Sequence, residues 1–292
     1  MTSAINLAQL PPLDVIEALD FETVFSEMVE AVRQIEPSLS DTLSLESEPI
    51  VKVLQALAYR ELLVRARVND AARAVMLPTA QGGDLDNLAS LFGVARLIVR
   101  PADPAAVPPI PAILESDADL RLRVQTSLEA LSVAGPRGAY EFHARSVDGR
   151  IRDVSVFSDT PGLVSVIVYS EDQDGNPIDA PVAAVDATLN GEAIRPLCDT
   201  VDVVNAEILL FDVEAVITVS GSASATEVLA KAQESVAGYL RSRRRIGRVV
   251  PRSGLIAALF VDDVENVDLV SPAGDVEPSA TQVPFAGNFD LT

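Results

Sequence analysis

Two side chains in this sequence could act as a catalytic base or a nucleophile. His143 is the only histidine and Cys198 the only cysteine among the 292 residues. No second histidine exists to complete a typical zinc site, and the spacing of His143 from Tyr140 and Val147 predicts a helical face that it shares with apolar residues. Cys198 lies in a strand-like segment with no helix N-terminus or glycine-rich turn to activate its thiol. We therefore interpret His143 as a hydrogen-bonded, partly buried imidazole and Cys198 as an inert thiol.

A group of polar side chains follows the spacing of a calcium-binding loop over its first half only. Asp172, Asp174 and Asn176 match the first ligands of such a loop. Pro177 then stands where the sharp turn needs glycine, and Ala183 stands where a bidentate glutamate is required. The segment therefore predicts a solvated turn, and we expect neither a metal nor another cofactor.

The remaining cluster is a run of arginines, RSRRRIGR, in an otherwise acidic chain. These cations could stabilise the C-terminus of a helix, or they could dock an acidic neighbouring subunit. The two roles are compatible, and the sequence leaves both open. The candidate interaction residues are Arg241, Arg243, Arg244, Arg245 and Arg248.

The composition argues against several classes of function. The formal net charge of −21 repels phosphate backbones, and the absence of tryptophan argues against base-stacking platforms, so we expect no nucleic-acid partner. No apolar run approaches the roughly 20 residues of a membrane span. The N-terminus lacks a basic segment before an apolar core, and the single cysteine fits a reducing compartment. We therefore expect synthesis in a cytoplasm and no membrane span.

The elements that must position these side chains are helical in the N-terminal third. Apolar residues recur every three or four positions in segments that begin after Asp20 and at Pro49. A third, shorter segment ends at Gly93, a natural left-handed cap. The apolar stripes are larger than so thin a segment can bury alone, which predicts self-association through these helices. We assign residues 1–100 to a helical wedge-core and self-association domain.

A proline-rich segment separates this helical domain from the rest. Five prolines lie between Arg100 and Glu115, and because proline fixes φ and removes a donor, they predict a semi-rigid linker over residues 101–116. Ser116 is the expected cap of the helix that follows. The predicted apolar face of that helix consists of Leu120, Val124, Leu128 and Leu131.

A helix-to-strand element occurs twice in the remaining sequence. A short apolar helix and the strand IRDVSV follow Pro136, and the segments SGLIAALF and ENVDLV follow Pro251. In the strand LVSVIVY, Val164, Val166 and Val168 alternate and predict a core-facing side. Ser224 and Glu227 have the spacing of a capping box. The tail from Ser271 is rich in proline, glycine and serine and predicts a loop. We predict an α+β fold in which the helical N-terminal domain precedes two small α+β units, residues 117–205 and 206–292, the second ending in the loop-like tail.

Five phrases along the chain resemble landmarks of the phage baseplate protein J family. In order they are QGGDLDNLASLFGVAR, ESDADLRLR after the prolines, AGPRGAYEFHA, RPLCDTVDVV, and the PRSGLIAAL helix that leads to NVDLVSP. Each phrase is short, but their order and spacing cover nearly the whole chain. Two positions depart from the family pattern. Cys198 stands where a small hydroxyl residue is more common, and Asp263 precedes Val264 where the family commonly has glycine before valine.

The resemblance implies a structural wedge subunit in the baseplate of a contractile phage tail or a phage-like injection machine, and not an enzyme. Family members meet a second copy of themselves and a tail protein I-like partner through N-terminal helices. Their α+β units contribute to the ring around the central spike or hub, near a lysozyme-like small wedge protein. We accordingly expect a location in the virion or injection-particle baseplate after synthesis in the bacterial cytoplasm.

Two hypotheses from other classes stay open at this point. The first is a cytoplasmic scaffold or adaptor protein unrelated to tails, which the nearby genes would distinguish from a tail component. The second is an enzyme of unknown type. It would need a site built from carboxylates and arginines alone, and no residue spacing in the chain indicates one.

Overall fold

The computed structural model describes residues 5, 7–11, 14–132, 134–172, 174–221 and 224–292. They form two compact units, of which the first ends at Ala95 and the second begins at Arg96. The first unit is helical, and the second combines helices with small sheets, which confirms the predicted α+β fold class. The finer boundaries given above, at residues 100, 116 and 205, stay predictions.

The N-terminal unit is built around two helices, α1 (Phe21–Ile35) and α2 (Pro49–Ala74). Asp20 caps α1 as predicted, because its carboxylate accepts hydrogen bonds from the hydroxyl and the N–H of Thr23, at 2.7 and 2.8 Å. These two bonds lower the pKa of Asp20. A small core joins the helices and consists of Val29, Leu43, Val51 and Leu54.

Two further features complete this unit. The buried side chain of Asn69 exchanges hydrogen bonds of 2.9 and 3.1 Å with the backbone of Glu17, which ties the segment before α1 to α2. Helix α3 (Gly82–Ser90) is followed by Gly93 at φ 69°, the left-handed conformation that the sequence predicts there.

The proline-rich segment folds back on itself. Strands β1 (Ile98–Arg100) and β2 (Ile113–Leu114) pair antiparallel on either side of it, and a bridge joins Asp103 to Ile110. The segment therefore forms a closed loop within the unit that begins at Arg96.

A central α+β layer follows the loop. Its elements are α4 (Asp117–Thr126), α5 (Arg137–Arg145), β3 (Ile151–Thr160), β4 (Leu163–Glu171), β5 (Pro177–Ile178), α6 (Val182–Leu189) and β6 (Thr200–Asn205). Strand β4 is central, with β3 and β5 antiparallel and β6 parallel to it. Helices α5 and α6 pack on the sheet face formed by Val164, Val166 and Val168, which confirms the core-facing side predicted from alternation.

Helix α4 follows the sequence prediction only in part. Ser116 caps it as predicted, with Oγ accepting the Asp119 N–H at 3.2 Å. Leu120 and Val124 are buried, but Leu128 and Leu131, expected on the same face, are 62% and 78% exposed. The reason is a change of period, since the α-helix becomes a 3₁₀ helix at Ser127 and a different face turns inward.

The C-terminal layer repeats this architecture. Its elements are β7 (Glu207–Val219), α7 (Ala225–Arg243), α8 (Arg252–Leu259), β8 (Val264–Ser271) and β9 (Gln282–Leu291). Strand β7 is central, with β8 antiparallel and β9 parallel to it. Helices α7 and α8 cover the sheet face formed by Val213, Ala215 and Ile217.

The predicted repeat of a helix-strand element is confirmed. Pro136 and Pro251 both occupy the N-cap position in extended conformation, with ψ of 153° and 141°. In each case a short helix leads to the edge strand that runs antiparallel to the central strand of its sheet. The chain order differs, because β3 precedes its central strand whereas β8 follows its own.

Two local predictions are wrong. The tail from Ser271 is not a loop throughout, since its last part forms β9. Pro284 argues against a strand, because proline has no N–H to donate. However, β9 lies at the edge of its sheet, where such a residue is tolerated. Ser224 is the N-cap residue of α7, yet its side chain accepts no capping hydrogen bond, so the capping box with Glu227 is not formed.

Candidate interaction surfaces

The predicted arginine cluster lies at the C-terminal end of α7 and in the turn after it. Arg241 and Arg248 are exposed, and neither side chain forms a hydrogen bond or ion pair with the part of the chain that the structure describes. Arg243 is half-buried, with its guanidinium 5.1 Å from the ring centroid of Tyr239. The five arginines therefore do not form one uniform patch.

Two members of the cluster hold the C-terminal layer to the central layer. Arg244 donates from Nη1 to the carbonyl of Gly175 at 2.7 Å, and its guanidinium stacks 4.4 Å from the ring centroid of Phe285. Arg245 donates to the carbonyl of Arg152. These contacts make Arg244 and Arg245 part of the fold and separate them from the exposed arginines.

The carboxylate of Asp153 strengthens the same junction. It accepts the N–H of Ile246 at 2.8 Å, pairs with Arg145, and lies 3.9 Å from Arg245. Its side chain is only 14% exposed, so these contacts are poorly screened by water. We call this set of contacts, centred on Asp153, Arg244 and Arg245, the arginine clasp.

A cleft of about 290 Å³ opens beside the clasp. Arg152 lies in it and pairs with Asp119 at 2.7 Å and with Glu171 at 3.5 Å. The buried Nε of Arg244 has no hydrogen-bond partner among the described residues. We call this site the arginine cleft; its lining residues are Ser116, Ala118, Asp119, Arg152, Glu171, Arg241, Arg244 and Arg245.

The sequence did not indicate that Arg152 belongs to this site. Arg152 lies near the start of a strand, outside the arginine run and 89 positions before Arg241. Only the approach of the two α+β layers brings the two residues to one cleft. Arg152 is half-buried, and the register of β3 is irregular between Ile151 and Asp153, so simple strand alternation does not assign its side chain to a face.

Helix α2 carries a second surface, an exposed apolar stripe. Its residues follow one another at intervals of four, seven, four and seven, and a helix brings such positions to one face. The exposed fractions of these side chains range from 51% to 64%. The α2 stripe consists of Val53, Leu57, Val64 and Val68 on the helix together with Val75, the residue that caps its C-terminus.

This stripe lies on a different face from the residues that contact α1. Val51, Leu54 and Ala58 are buried, whereas Val53 and Leu57 are exposed. Helix α2 thus presents apolar side chains on two sides, and the N-terminal unit covers one of them.

The residues considered for catalysis and metal binding occupy structural positions. His143 lies half-buried on α5, and burial lowers its pKa. Cys198 is exposed in a loop. Asp172 accepts the N–H groups of Asp174 and Asn176 at 2.9 and 2.8 Å, so its carboxylate closes its own turn, and these hydrogen bonds lower its pKa. Among the described residues, no helix is long and apolar enough to cross a membrane.

Comparison with known proteins gives one consistent result along the chain. The family described as Baseplate J-like N-terminal domain matches residues 46–103, Baseplate J-like central domain matches 132–205, and Baseplate J-like protein C-terminal domain matches 211–292. A curated relative, baseplate protein J of Escherichia phage P2, is 41% identical over 290 residues, which cover 98% of this chain and 96% of the relative.

Proposed function

The chain belongs to the baseplate J family, and we propose that it is a structural wedge subunit in the baseplate of a contractile phage tail or a phage-like injection machine. The family places it among the structural proteins of the phage baseplate. The observation that carries the proposal is the match over 98% of the chain, because it includes the N-terminal helices together with both α+β layers.

We further propose that the N-terminal helices join the subunit to its partners. These are a second copy of the chain and a tail protein I-like protein, with a lysozyme-like small wedge protein nearby and the assembly surrounding the central spike. The α2 stripe supports this role, since five large aliphatic side chains spaced along some 22 positions of one helix suit packing against another amphipathic helix. Burying such a stripe would remove a contiguous apolar surface from water.

The proposed role is structural and not enzymatic. His143 and Cys198 have neither a catalytic partner nor an activating environment among their described contacts, and the cations of the arginine clasp are bonded within the fold. We propose that the protein is made in the bacterial cytoplasm and resides in the baseplate of the finished particle.

The test uses the full chain co-expressed with the tail protein I-like partner. Val64→Glu combined with Val68→Glu puts two charges on the α2 stripe, and we expect recovery of the complex to fall about tenfold or more. Leu63→Glu is the control, because it introduces a charge of the same sign on the same helix at an exposed apolar position outside the stripe. Circular dichroism must show that all variants keep their helical content.

Two results would overturn the proposal. Full recovery of the complex with the Val64→Glu and Val68→Glu variant would show that the α2 stripe is not the docking face. Absence of the chain from purified tail particles, measured by mass spectrometry, would instead favour the cytoplasmic scaffold hypothesis.

A further inference from the structure

The unit that begins at Arg96 carries two exposed surfaces of opposite charge. The first is the arginine cleft, where four arginines face two carboxylates, for a local net charge of +2 in a chain with a net charge of −21. Both carboxylates already pair with Arg152. The exposed side chain of Arg241 has no partner among the described residues, so the cleft keeps an accessible donor for an anion.

The second surface is the outer face of the C-terminal sheet. Glu214 on β7 and Asp290 on β9 are direct neighbours in the parallel register, and Val216 is paired with Asp268 on β8. All four side chains are exposed, and Val216 at the centre is 49% accessible. None of the three carboxylates forms an ion pair with the described residues. We call these residues the acidic sheet face.

The two surfaces cannot neutralise each other within one chain. Helix α7 packs on the sheet face formed by Val213, Ala215 and Ile217, and Arg241 belongs to that helix. The acidic sheet face contains the alternate residues of β7 and therefore lies on the other side of the sheet. Complementary charges on opposite sides of one layer suit contacts between successive copies.

We propose that the acidic sheet face of one copy docks on the arginine cleft of the next, a head-to-tail contact between copies of this chain. The occupant of the cleft is thus a group of three carboxylates on a strand surface, with Val216 supplying an apolar centre. A head-to-tail contact repeats from copy to copy, and it closes into a ring when its rotation allows. The inference rests on the proposed role as an assembling baseplate subunit.

The first experiment locates the contact. The photo-crosslinking amino acid p-benzoylphenylalanine replaces Val216 in the full chain, and isotopically light and heavy copies are mixed before irradiation. We expect mixed light-heavy crosslinks from position 216 to peptides that contain Ala118 or Arg241. The yield should fall when the salt concentration is raised from about 0.05 M to about 0.5 M, because exposed charges are screened over shorter distances. Crosslinks from position 216 to the acidic sheet face of another copy would overturn the proposal.

The second experiment exchanges the charges. One variant carries Ala118→Glu and Arg241→Glu in the cleft, and the other carries Glu214→Lys and Asp268→Lys on the sheet face. Each variant alone brings like charges together, and we expect its crosslink yield between copies to fall about tenfold. An equimolar mixture of the two variants should recover the crosslink yield of the wild type. In the mixture, the acidic cleft of one variant can meet the basic sheet face of the other, and the acidic sheet face of the first can meet the basic cleft of the second.

A matched control and the contradicting outcomes keep this test decisive. Lys231→Glu makes the same charge change as Arg241→Glu on an exposed part of α7 outside the cleft, and it should leave the yield unchanged. If the mixture does not recover the yield, or if an unrelated acidic protein replaces the second copy with equal yield, the proposed partner is wrong. Binding of the tail protein I-like protein through the α2 stripe should be unchanged in every variant, so failure here is distinguishable from failure of the proposed function.

Discussion

The hydroxyl of Tyr140 donates a hydrogen bond of 2.8 Å to Oδ2 of Asp199, a residue 59 positions further along the chain. Tyr140 belongs to the phrase AGPRGAYEFHA and Asp199 to RPLCDTVDVV, two of the landmarks by which the family can be identified. The two phrases therefore lie against each other, and their spacing in the sequence reflects one structural contact. Burial and this hydrogen bond raise the pKa of Tyr140.

Replacing Tyr140 by phenylalanine should lower the free energy of unfolding by about 1–2 kcal/mol, because the Asp199 carboxylate loses its hydroxyl donor in a partly buried site. Denaturant unfolding followed by circular dichroism measures the change. Tyr59→Phe is the control, since Tyr59 is 54% exposed, and it should change stability by less than about 0.5 kcal/mol. Equal effects of the two substitutions would contradict this account of the contact.

Gly135 allows the same two phrases to approach each other. It adopts φ 70°, and a Cβ at this position would lie 2.6 Å from Cγ of Pro196. Gly135→Ala should therefore destabilise the chain by about 2 kcal/mol or more, from backbone strain together with displacement of Pro196. Gly238→Ala is the opposite control, because Gly238 is inside α7 with open space around it and should stabilise by about 0.5–1 kcal/mol. An unchanged free energy of unfolding in Gly135→Ala would show that the loop containing Pro196 can move to accommodate the methyl group.

Local patterns predicted much of this fold, and long-range contacts account for what they missed. Alternation placed Val164, Val166 and Val168 on the core side because a strand has a fixed period of two. On α2, periodicity shows that the face carrying Val53 is apolar but not which partner covers it, and Val53 is 57% exposed. The sequence did not predict β9, because Pro284 argues against a strand locally. The residue on β7 with which Pro284 is paired is 75 positions away, so the local sequence does not show this pairing.

The candidate site shows the same limit. Sequence reasoning found the arginine cluster as a local run, but it could not divide the run into a clasp and an exposed part. That division depends on which carbonyls lie nearby, and the carbonyls of Gly175 and Arg152 come from a different layer of the fold. The positive charge of the run can be predicted from the sequence, whereas the groups that bind each arginine can be identified only from the tertiary structure.

Asp263 shows why the family pattern has glycine at its position. It has φ 67°, the only positive φ of a non-glycine residue among the described residues. Asp263→Gly should raise the free energy of unfolding by about 0.5–1 kcal/mol, because relief of the left-handed strain exceeds the added entropy of the unfolded chain. Asp262→Gly is the neighbouring control and should destabilise, since Asp262 lacks that conformation. Thermal and denaturant unfolding should both show that Asp263→Gly raises the free energy of unfolding and Asp262→Gly lowers it. Changes of the same sign in the two variants would contradict this account.

A buried ion pair joins Glu115, the residue after β2, to helix α4. Nη1 of Arg123 lies 2.6 Å from Oε2 of Glu115, and the two side chains are only 7% and 4% exposed. The same carboxylate accepts the N–H of Leu97 at 3.1 Å. Glu115→Ala should lower the free energy of unfolding by about 3 kcal/mol at neutral pH, because it removes the buried negative charge opposite Arg123 and an acceptor for Leu97. Glu234→Ala, an exposed change on α7, is the control and should have little effect.

Glu115 should also make stability depend on pH in a definite direction. Burial raises its pKa above the ordinary value of 4.5, against the opposing hydrogen bonds from Leu97 and Arg123. The folded state therefore binds this proton more tightly than the unfolded state does. The resulting stabilisation is fully present below the unfolded pKa and is lost as the pH rises through the folded pKa.

Glu115→Gln removes this titration while it keeps the shape of the side chain and an oxygen that can accept the Leu97 N–H. The stability of the wild type relative to this variant should therefore decrease between about pH 4 and about pH 7. Taking the difference between the two proteins cancels the contributions of carboxylates whose pKa is lowered, such as Asp148, which titrate in both. Urea unfolding at several pH values measures the difference. A constant difference across this range would mean that the ion pair offsets the burial of Glu115, and a difference that increases with pH would show that the pair with Arg123 dominates.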